Sequence, residues 1–429
     1  MMYVIIYYNK KLKNNKCMGG KMDIIEIAHI LDKCGGKLYL VGGAVRDELL
    51  SRKICDEDYC VTGVTENEFE RLFPKAFSRG KAFKVYDIDG KEFALARLER
   101  KTGIGHKEFE IITNKNITIE QDLARRDITI NSMAKDVITG KIIDPYNGKQ
   151  DLENKIIKAT SSAFSEDPLR VYRVARFASQ LNFDVEDYTL QQMNNLKQEL
   201  NTLSKERVFD EFRKALAQDK PSIFFEILRK ANVLDVHFKQ IYNLIGALQP
   251  QIYHPEGDAY NHTMIVLDTS AKHTKDLKIR FAALVHDFGK GLTPKEEYPH
   301  HYGHDVKGES AIKEFGKNLG IPTIWIKCGI TSSKEHMKGG IFFKMTPAKQ
   351  VRFLERVEKS MLGLDGLQLI VDADKENREQ VNSFAFLGKQ VLQEINGKYI
   401  LNKYGNINGL QIKQKLYEER IKYLKKLYS

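Results

Sequence analysis

What most constrains this chain is where its strand signals stop. Short β-type runs crowd the first third, and after Ser165 they all but vanish. "LYLVG", "YCVTG", "AFKVYDI", "EFALARLE" and "EFEIIT" are apolar or β-branched runs separated by turns, and "DIDG" (Asp87–Gly90) is a hairpin signal. "DIIEIAHILDKCGGK" (Asp23–Lys37) ahead of them has helical apolar spacing and a Gly-Gly stop. Beyond Ser165, "DPLRVYRVARFASQL", "ERVFDEFRKALA" and "IFFEILRKANVL" are helical, and "LQPQIYHPEG" (Leu248–Gly257) is the clearest linker, with two prolines. Segregated elements of this kind predict an α+β chain: a small mixed β-sheet head, then a predominantly α-helical body. The expected organisation is an N-terminal extension over 1–22, a head over 23–160 and a helical neck over 161–250. A His-rich all-α domain over 251–380 and a helical tail over 381–429 complete it.

A chain of 429 residues is long for one core. Its 68 Lys and Arg against 57 Asp and Glu leave a charge of +11, which favours a polyanionic partner. The five cysteines (Cys17, Cys34, Cys55, Cys60, Cys328) form no C-x-x-C pair, so a disulfide framework is not expected and a reducing cytoplasm is. "MMYVIIYYNKKLKNN" has its lysines after its short apolar run, the wrong order for a secretory signal. No apolar run is long enough to cross a membrane, and no stable protein partner is implied.

Two stretches carry chemistry in the head. Asp56 and Asp58 are two apart where "YCVTG" begins, and period-2 geometry points both carboxylates the same way. Ionised carboxylates side by side strain one another unless a cation sits between them, and oxygen ligands of this kind suit Mg²⁺ with substrate phosphates. Glu92 on a neighbouring strand is the candidate third oxygen. Gly42 and Gly43, after strand "YLV", let backbone amides approach a phosphate, and Arg46 one turn later is placed to clamp it.

"GGAVRD" followed by "DED" resembles the head of the class II nucleotidyltransferases, the family of bacterial CCA-adding tRNA nucleotidyltransferases and poly(A) polymerases. Downstream, "EQDLARRDITINSMA" is similar to the family's ribose-and-phosphate stretch, implying that Arg125, Arg126 and Asp127 contact the sugar and triphosphate. "EDPLRVYRVARF" resembles its base-reading helix and "ERVFDE" the structural helix that follows. Asp167, Arg170 and Arg173 fall at i, i+3 and i+6, so neighbours share a helix face. A carboxylate acceptor beside a guanidinium donor matches the pairing edges of C and A and leaves those of U and G unpaired. Asp167 and Arg170 are therefore assigned to the base edge, with Arg173 beside them. The resemblance implies tRNA, CTP and ATP as partners and in-line transfer at the α-phosphorus without a covalent intermediate. Poly(A) polymerases of the family carry a basic stretch after the aspartates that "FSRGKAFKVYDIDGKEFALARLERK" lacks. "RLERKTGIGHKEF" (Arg97–Phe109) resembles the loop with which CCA-adding enzymes switch from C to A.

In the second half, His262, then His286-Asp287, then His301 and His304, then Asp374 resemble the H…HD…H…D layout of metal-dependent phosphohydrolases, with "VHDFGKG" its core. "HHYGH" supplies His301 and His304, and Lys290 lies within the core stretch. Imidazole and carboxylate ligands can hold a divalent transition metal such as Ni²⁺ or Mn²⁺. The resemblance implies cyclic-phosphodiesterase or phosphatase action on RNA ends. Past Thr331, "TSSKEHMKGG" departs from the pattern, so His336 is not counted as a ligand, and His254, His273 and His300 read as packed or solvated. In the closing helix, Ile421, Leu424 and Leu427 share one stripe, as core packing or as the base of a tRNA-contacting face.

Overall fold

The computed structural model describes residues 22–80, 84–101, 109–375 and 383–428. The chain divides into two compact units, 1–203 and 204–429. The proposed extension over 1–22 lies almost wholly outside the described residues, as does the centre of the C-to-A loop, 102–108.

The first unit opens with α1 (Ile24–Asp32), β1 (Lys37–Val41), α2 (Gly43–Leu49), β2 (Asp58–Thr62) and α3 (Glu66–Leu72). It continues through β3 (Phe77–Arg79), β4 (Val85–Ile88), β5 (Lys91–Leu95), β6 (Arg97–Lys101), β7 (Phe109–Thr113), α4 (Ile119–Ala124), β8 (Ala134–Asp136) and β9 (Ile142–Ile143). Seven strands pair in the order β3-β4-β5-β2-β1-β8-β9. β2 runs parallel to β5 and the other pairings are antiparallel, a mixed sheet. β6 and β7 form a separate hairpin, so "EFALARLE" breaks into two strands.

Side chains alternate across the sheet as strand geometry demands. Leu38, Tyr59, Val61 and Phe93 face a core completed by Ile27 and Leu31 of α1 and Phe69 of α3. Tyr39, Cys60 and Ala134 face the other side, over Leu123 of α4. Phe69 is fully buried, with the rings of Phe73 and Tyr86 at 4.9 and 4.7 Å, so truncation to Ala costs about 3–5 kcal/mol. A further helix, α5 (Arg170–Leu181), belongs to this unit. The only strand residues described beyond Ser165 are Asp184–Val185, paired with Ile156–Ile157.

The second unit is helical throughout its described residues. Among its helices are α6 (Lys205–Leu216), α7 (Ala259–His273), α8 (Leu277–Val285), α9 (His304–Leu319), α10 (Thr323–Gly340), α11 (Pro347–Glu358), α12 (Gly363–Asp374), α13 (Phe384–Glu394) and α14 (Gly409–Tyr428), besides the helices Ser222–Lys230 and Gly397–Tyr404 and shorter turns. Its core joins Val266, Ala282, Leu354, Leu367, Val371 and Phe384. Arg280 of α8, fully buried, donates Nε to the Thr274 carbonyl, Nη1 to those of Leu216 and Gln218, and Nη2 to that of Ala271, at 2.7–2.8 Å. One guanidinium thus satisfies carbonyls at two helix ends that would otherwise be orphaned. In α14, Leu424 is buried against Val351 and Val391 with Ile421 beside it, whereas Leu427 is 44% exposed. No described helix is long and apolar enough to cross a membrane.

Candidate functional sites

Backbone register builds the first site. Val41, the last residue of β1, is opposite Asp58, the first of β2, and Asp58 is in turn opposite Glu92 of β5. The turn at Gly42, Asp58 and Glu92 therefore line up across one end of three adjacent strands, and Asp56 joins from the segment just before β2. A cavity of about 690 Å³ opens here, lined by Asp56, Glu57, Asp58, Asp89 and Glu92 among others. Partial burial pushes the Asp58 carboxyl up, and Glu92 and Asp56 add to this against Arg126. Crowded carboxylates of this kind fit a divalent cation. Glu57, the middle acid of "DED", is turned aside: it accepts from the Tyr59 hydroxyl at 2.9 Å and pairs with Lys91.

Gly42 has φ of +71°, and a Cβ there would lie 3.0 Å from Nη1 of Arg126. The glycine thus permits both the left-handed turn and the approach of a cation. Its own N–H donates to the Met133 carbonyl at 3.3 Å, which corrects the expectation that this amide meets a phosphate. Arg46 is corrected too. Its guanidinium is 3% exposed and donates to both oxygens of Asp47 at 2.9 and 3.0 Å and to Asn131 Oδ1 at 2.7 Å. It fixes the turn from inside.

Asp122 was missed by sequence reasoning. It is 1% exposed, accepts from Arg125 Nε and Nη2 at 3.0 and 2.7 Å, and takes Arg126 Nη2 at 3.2 Å. Burial pushes its carboxyl up, but Arg125, Arg126 and Arg97 outweigh that and hold it below the usual range. The spacing Asp122, Arg125, Arg126, i to i+3 and i+4, was the available signal. Asp127 is buried and paired within the fold: its Oδ2 accepts from Arg173 Nε at 2.7 Å and its Oδ1 from the Ile128 amide at 2.9 Å. Burial opposes its ionisation, yet Arg173 and Arg170 bring its pKa down to about 2.

The base-reading assignment needs a correction of geometry. α5 starts at Arg170, and Asp167 is extended (φ −119°, ψ 109°) ahead of it, so the two do not share a helix face. Asp167 Oδ1 accepts from the Leu169 amide at 3.0 Å. Arg170 is 7% exposed and donates to the carbonyls of Ala163 and Arg125, each at 2.6 Å.

The second site converges from several helices. Asp287 follows α8 and is 1% exposed. Around its carboxylate stand Nε2 of His286 at 3.2 Å, His304 at 3.4 Å, His336 at 3.5 Å and His262 at 3.8 Å, with Lys290 Nζ at 2.5 Å. Asp374, at the end of α12, lies 2.9 Å from His262 Nε2. Each ring is aimed by its other nitrogen. Nδ1 of His286 donates to the Ala283 carbonyl, that of His304 to His301 and that of His336 to Ser332 and Ser333. Gly289 makes the convergence possible, because a Cβ there would fall 1.9 Å from the His304 carbonyl oxygen.

His286, Asp287 and His336 bring ligand atoms within 4.8 Å of one another, and so do His262, His286 and Asp374. His336, set aside in the sequence, belongs with these side chains; it stands on α10, four residues after Ser332, whose carbonyl aims it. Nε2 of His262, His286 and His304 and both oxygens of Asp287 are buried without a well-directed hydrogen-bond partner. Orphaned donor atoms of this type fit a bound metal. Burial pushes Asp287 up, but His286 and Lys290 outweigh it and hold the carboxylate far below its usual range. A cavity of about 670 Å³ opens beside the cluster, lined by Lys290, His301, His304, His336 and Asp374 among others. His301 borders the cavity, its Nε2 donating to the Leu248 carbonyl at 2.9 Å, and is not part of the inner cluster.

Residues 38–158 match the poly A polymerase head domain, 182–244 the probable RNA and SrmB-binding site of polymerase A, and 259–361 the HD domain. A multifunctional CCA protein of Pseudoalteromonas atlantica is 40% identical over 403 residues, 90% of this chain and 98% of the relative. One from Shewanella denitrificans is 40% identical over 357 residues, covering 82% and 86%. Among solved structures, a CCA-adding enzyme in complex with CTP has a TM-score of 0.62 at 20% identity, over 92% of this chain and 88% of that one. The Thermotoga maritima CCA-adding enzyme complexed with tRNA has 0.62 at 19%, over 96% and 94%; at such identity these likenesses concern the fold.

Proposed function

The chain belongs to the multifunctional CCA protein family, and on that premise we propose that it is a CCA-adding tRNA nucleotidyltransferase. It adds C, C and A to the tRNA 3′ end from CTP and ATP without a nucleic-acid template and releases pyrophosphate. The observation that carries this reading is the row formed by the Gly42 turn, Asp58 and Glu92 across one end of β1, β2 and β5, with Arg126 against the turn.

Asp56 and Asp58, with Glu92 beside them, would hold Mg²⁺, which supplies Lewis-acid activation and charge neutralisation at the phosphates. Arg126, tied back by Asp122, faces the triphosphate and stabilises charge developing on it. Asp167 is the acceptor and Arg170 the donor for the pairing edge of C or A. Nη1 and Nη2 of Arg170 donate to backbone carbonyls, which fixes the plane of the guanidinium before a base arrives. Arg173 is held beside them by Asp127. Stepwise incorporation on end-trimmed tRNA, with each triphosphate in turn, tests the reading. CTP must be used before ATP; an enzyme that ignores CTP is a poly(A) polymerase.

A second activity, hydrolysis of phosphate esters at RNA ends, is supported by the orphaned atoms around Asp287. His262, His286, Asp287, His336 and Asp374 would hold a divalent transition metal, which supplies Lewis-acid polarisation of the phosphate. Lys290 and His304 add positive or hydrogen-bonding groups at the wall of the cavity. His286→Ala is expected to abolish hydrolysis of a 2′,3′-cyclic phosphate while CTP addition continues. Retained hydrolysis would remove this part of the reading.

A further inference from the structure

His262 differs from the other rings of the second site in how it is aimed. His286, His304 and His336 are held by backbone carbonyls of their own neighbourhoods. The Nδ1 of His262 instead meets a side chain, Oε1 of Glu256, at 2.7 Å. The same oxygen receives Nδ1 of His254 at 3.0 Å. The two rings stand edge to face with centroids 4.7 Å apart. Glu256 lies between the tight turn at His254 and the start of α7, and its side chain is only 15% exposed.

We propose that Glu256 is the positioning carboxylate of the second site, fixing His262 with Nδ1 protonated so that Nε2 is presented to a metal shared with His286 and Asp374. The inference rests on reading that cluster as a metal centre. A carboxylate can only accept, so an imidazole nitrogen at 2.7 Å from it must carry the hydrogen, and the opposite nitrogen then supplies the lone pair for a metal. Outer carboxylates of this kind orient a ligating imidazole and raise its basicity. Glu256 does this for two rings at once. His254 is held in the same tautomer and lines the cavity at the mouth of the site. Neither role shows in the residue pattern, because Glu256 sits in the proline-bounded linker, outside the histidine–aspartate motif.

The test is the affinity of the full-length chain for Ni²⁺ alone, measured against a chromophoric chelator. His286→Gln, which removes a ligand, sets the scale for loss of the site. Glu256→Gln is expected to weaken Ni²⁺ binding by about 10–100-fold, leaving CTP addition to tRNA and the unfolding temperature of the metal-free chain near those of the unaltered protein. Unchanged Ni²⁺ affinity in Glu256→Gln, with loss in His286→Gln, overturns the role of Glu256 and spares the metal centre. If His286→Gln binds Ni²⁺ as the unaltered chain does, the metal-centre reading itself falls. Should Glu256→Gln fail to fold, ring-nitrogen ¹⁵N spectra of the unaltered Zn²⁺-loaded chain decide: a protonated Nδ1 on His262 supports the inference, and a metal-bound Nδ1 overturns it.

Discussion

The two sites gather carboxylates in opposite ways. At the head, Asp56, Asp58 and Glu92 open on a cavity at the ends of strands, and Asp58 is crowded by its own kind. In the helical unit a single buried carboxylate, Asp287, is ringed by imidazoles and a lysine. The first arrangement costs little to fold, because water still reaches it, and its crowded carboxylates fit a divalent cation. The second holds its polar partners inside the fold, with aimed rings and Lys290 converging on Asp287. Adjacent strands bring side chains together by register alone, whereas helices must converge from distant parts of the chain and be aimed one ring at a time.

The largest effect should come from removing the head's central acid. Asp58→Ala is expected to lower CTP and ATP incorporation by about 10³-fold or more, some 4 kcal/mol of barrier, while cyclic-phosphate hydrolysis persists. Loss of both activities would break the separation of the two sites. Asp287→Ala should show the contrast in stability. It leaves four imidazoles and Lys290 without their common partner, so a cost of about 3–5 kcal/mol is expected in denaturant unfolding, against under about 1 kcal/mol for Asp58→Ala.

Asp122→Asn probes a deeply buried carboxylate of the head. Weakening its hold on Arg125 and Arg126 should reduce kcat/KM for CTP about 10–100-fold with a smaller change in stability. Acid unfolding tests its neighbour. Asp127 has a folded pKa of about 2, below the ~3.9 of an unfolded Asp, so its contribution of up to ~2 kcal/mol is present above pH 4 and is lost as pH falls toward 2. Arg173→Met should therefore raise the pH of acid unfolding by roughly half a unit, seen by far-UV circular dichroism. The smallest effect concerns Glu92. Because it raises the Asp58 pKa, Glu92→Gln should move the acid limb of the pH–rate profile down and raise the Mg²⁺ requirement.

The division into sheet and helices was readable because the two hydrophobic periods do not mix along this chain. That Asp58 stands beside the Gly42 turn was not readable, because it depends on β1 and β2 pairing antiparallel in one particular register. Asp167 was misplaced on a helix although Pro168 follows it, and a residue before proline is driven to the extended conformation it adopts here. The burial of Arg46 and Arg170 had no signature, since spacing says which residues share a face and not which face turns inward. His336 and Glu256 escaped because their roles depend on where a long helix and a linker pass in space.

Asp58 is the first residue of β2, with Val41 on one side and Glu92 on the other. Sliding β2 by a single position would keep most backbone hydrogen bonds yet turn every side chain to the opposite face, sending Tyr59 where the acid belongs. The head is thus far less forgiving of one added or lost residue in this strand than of many changes in composition.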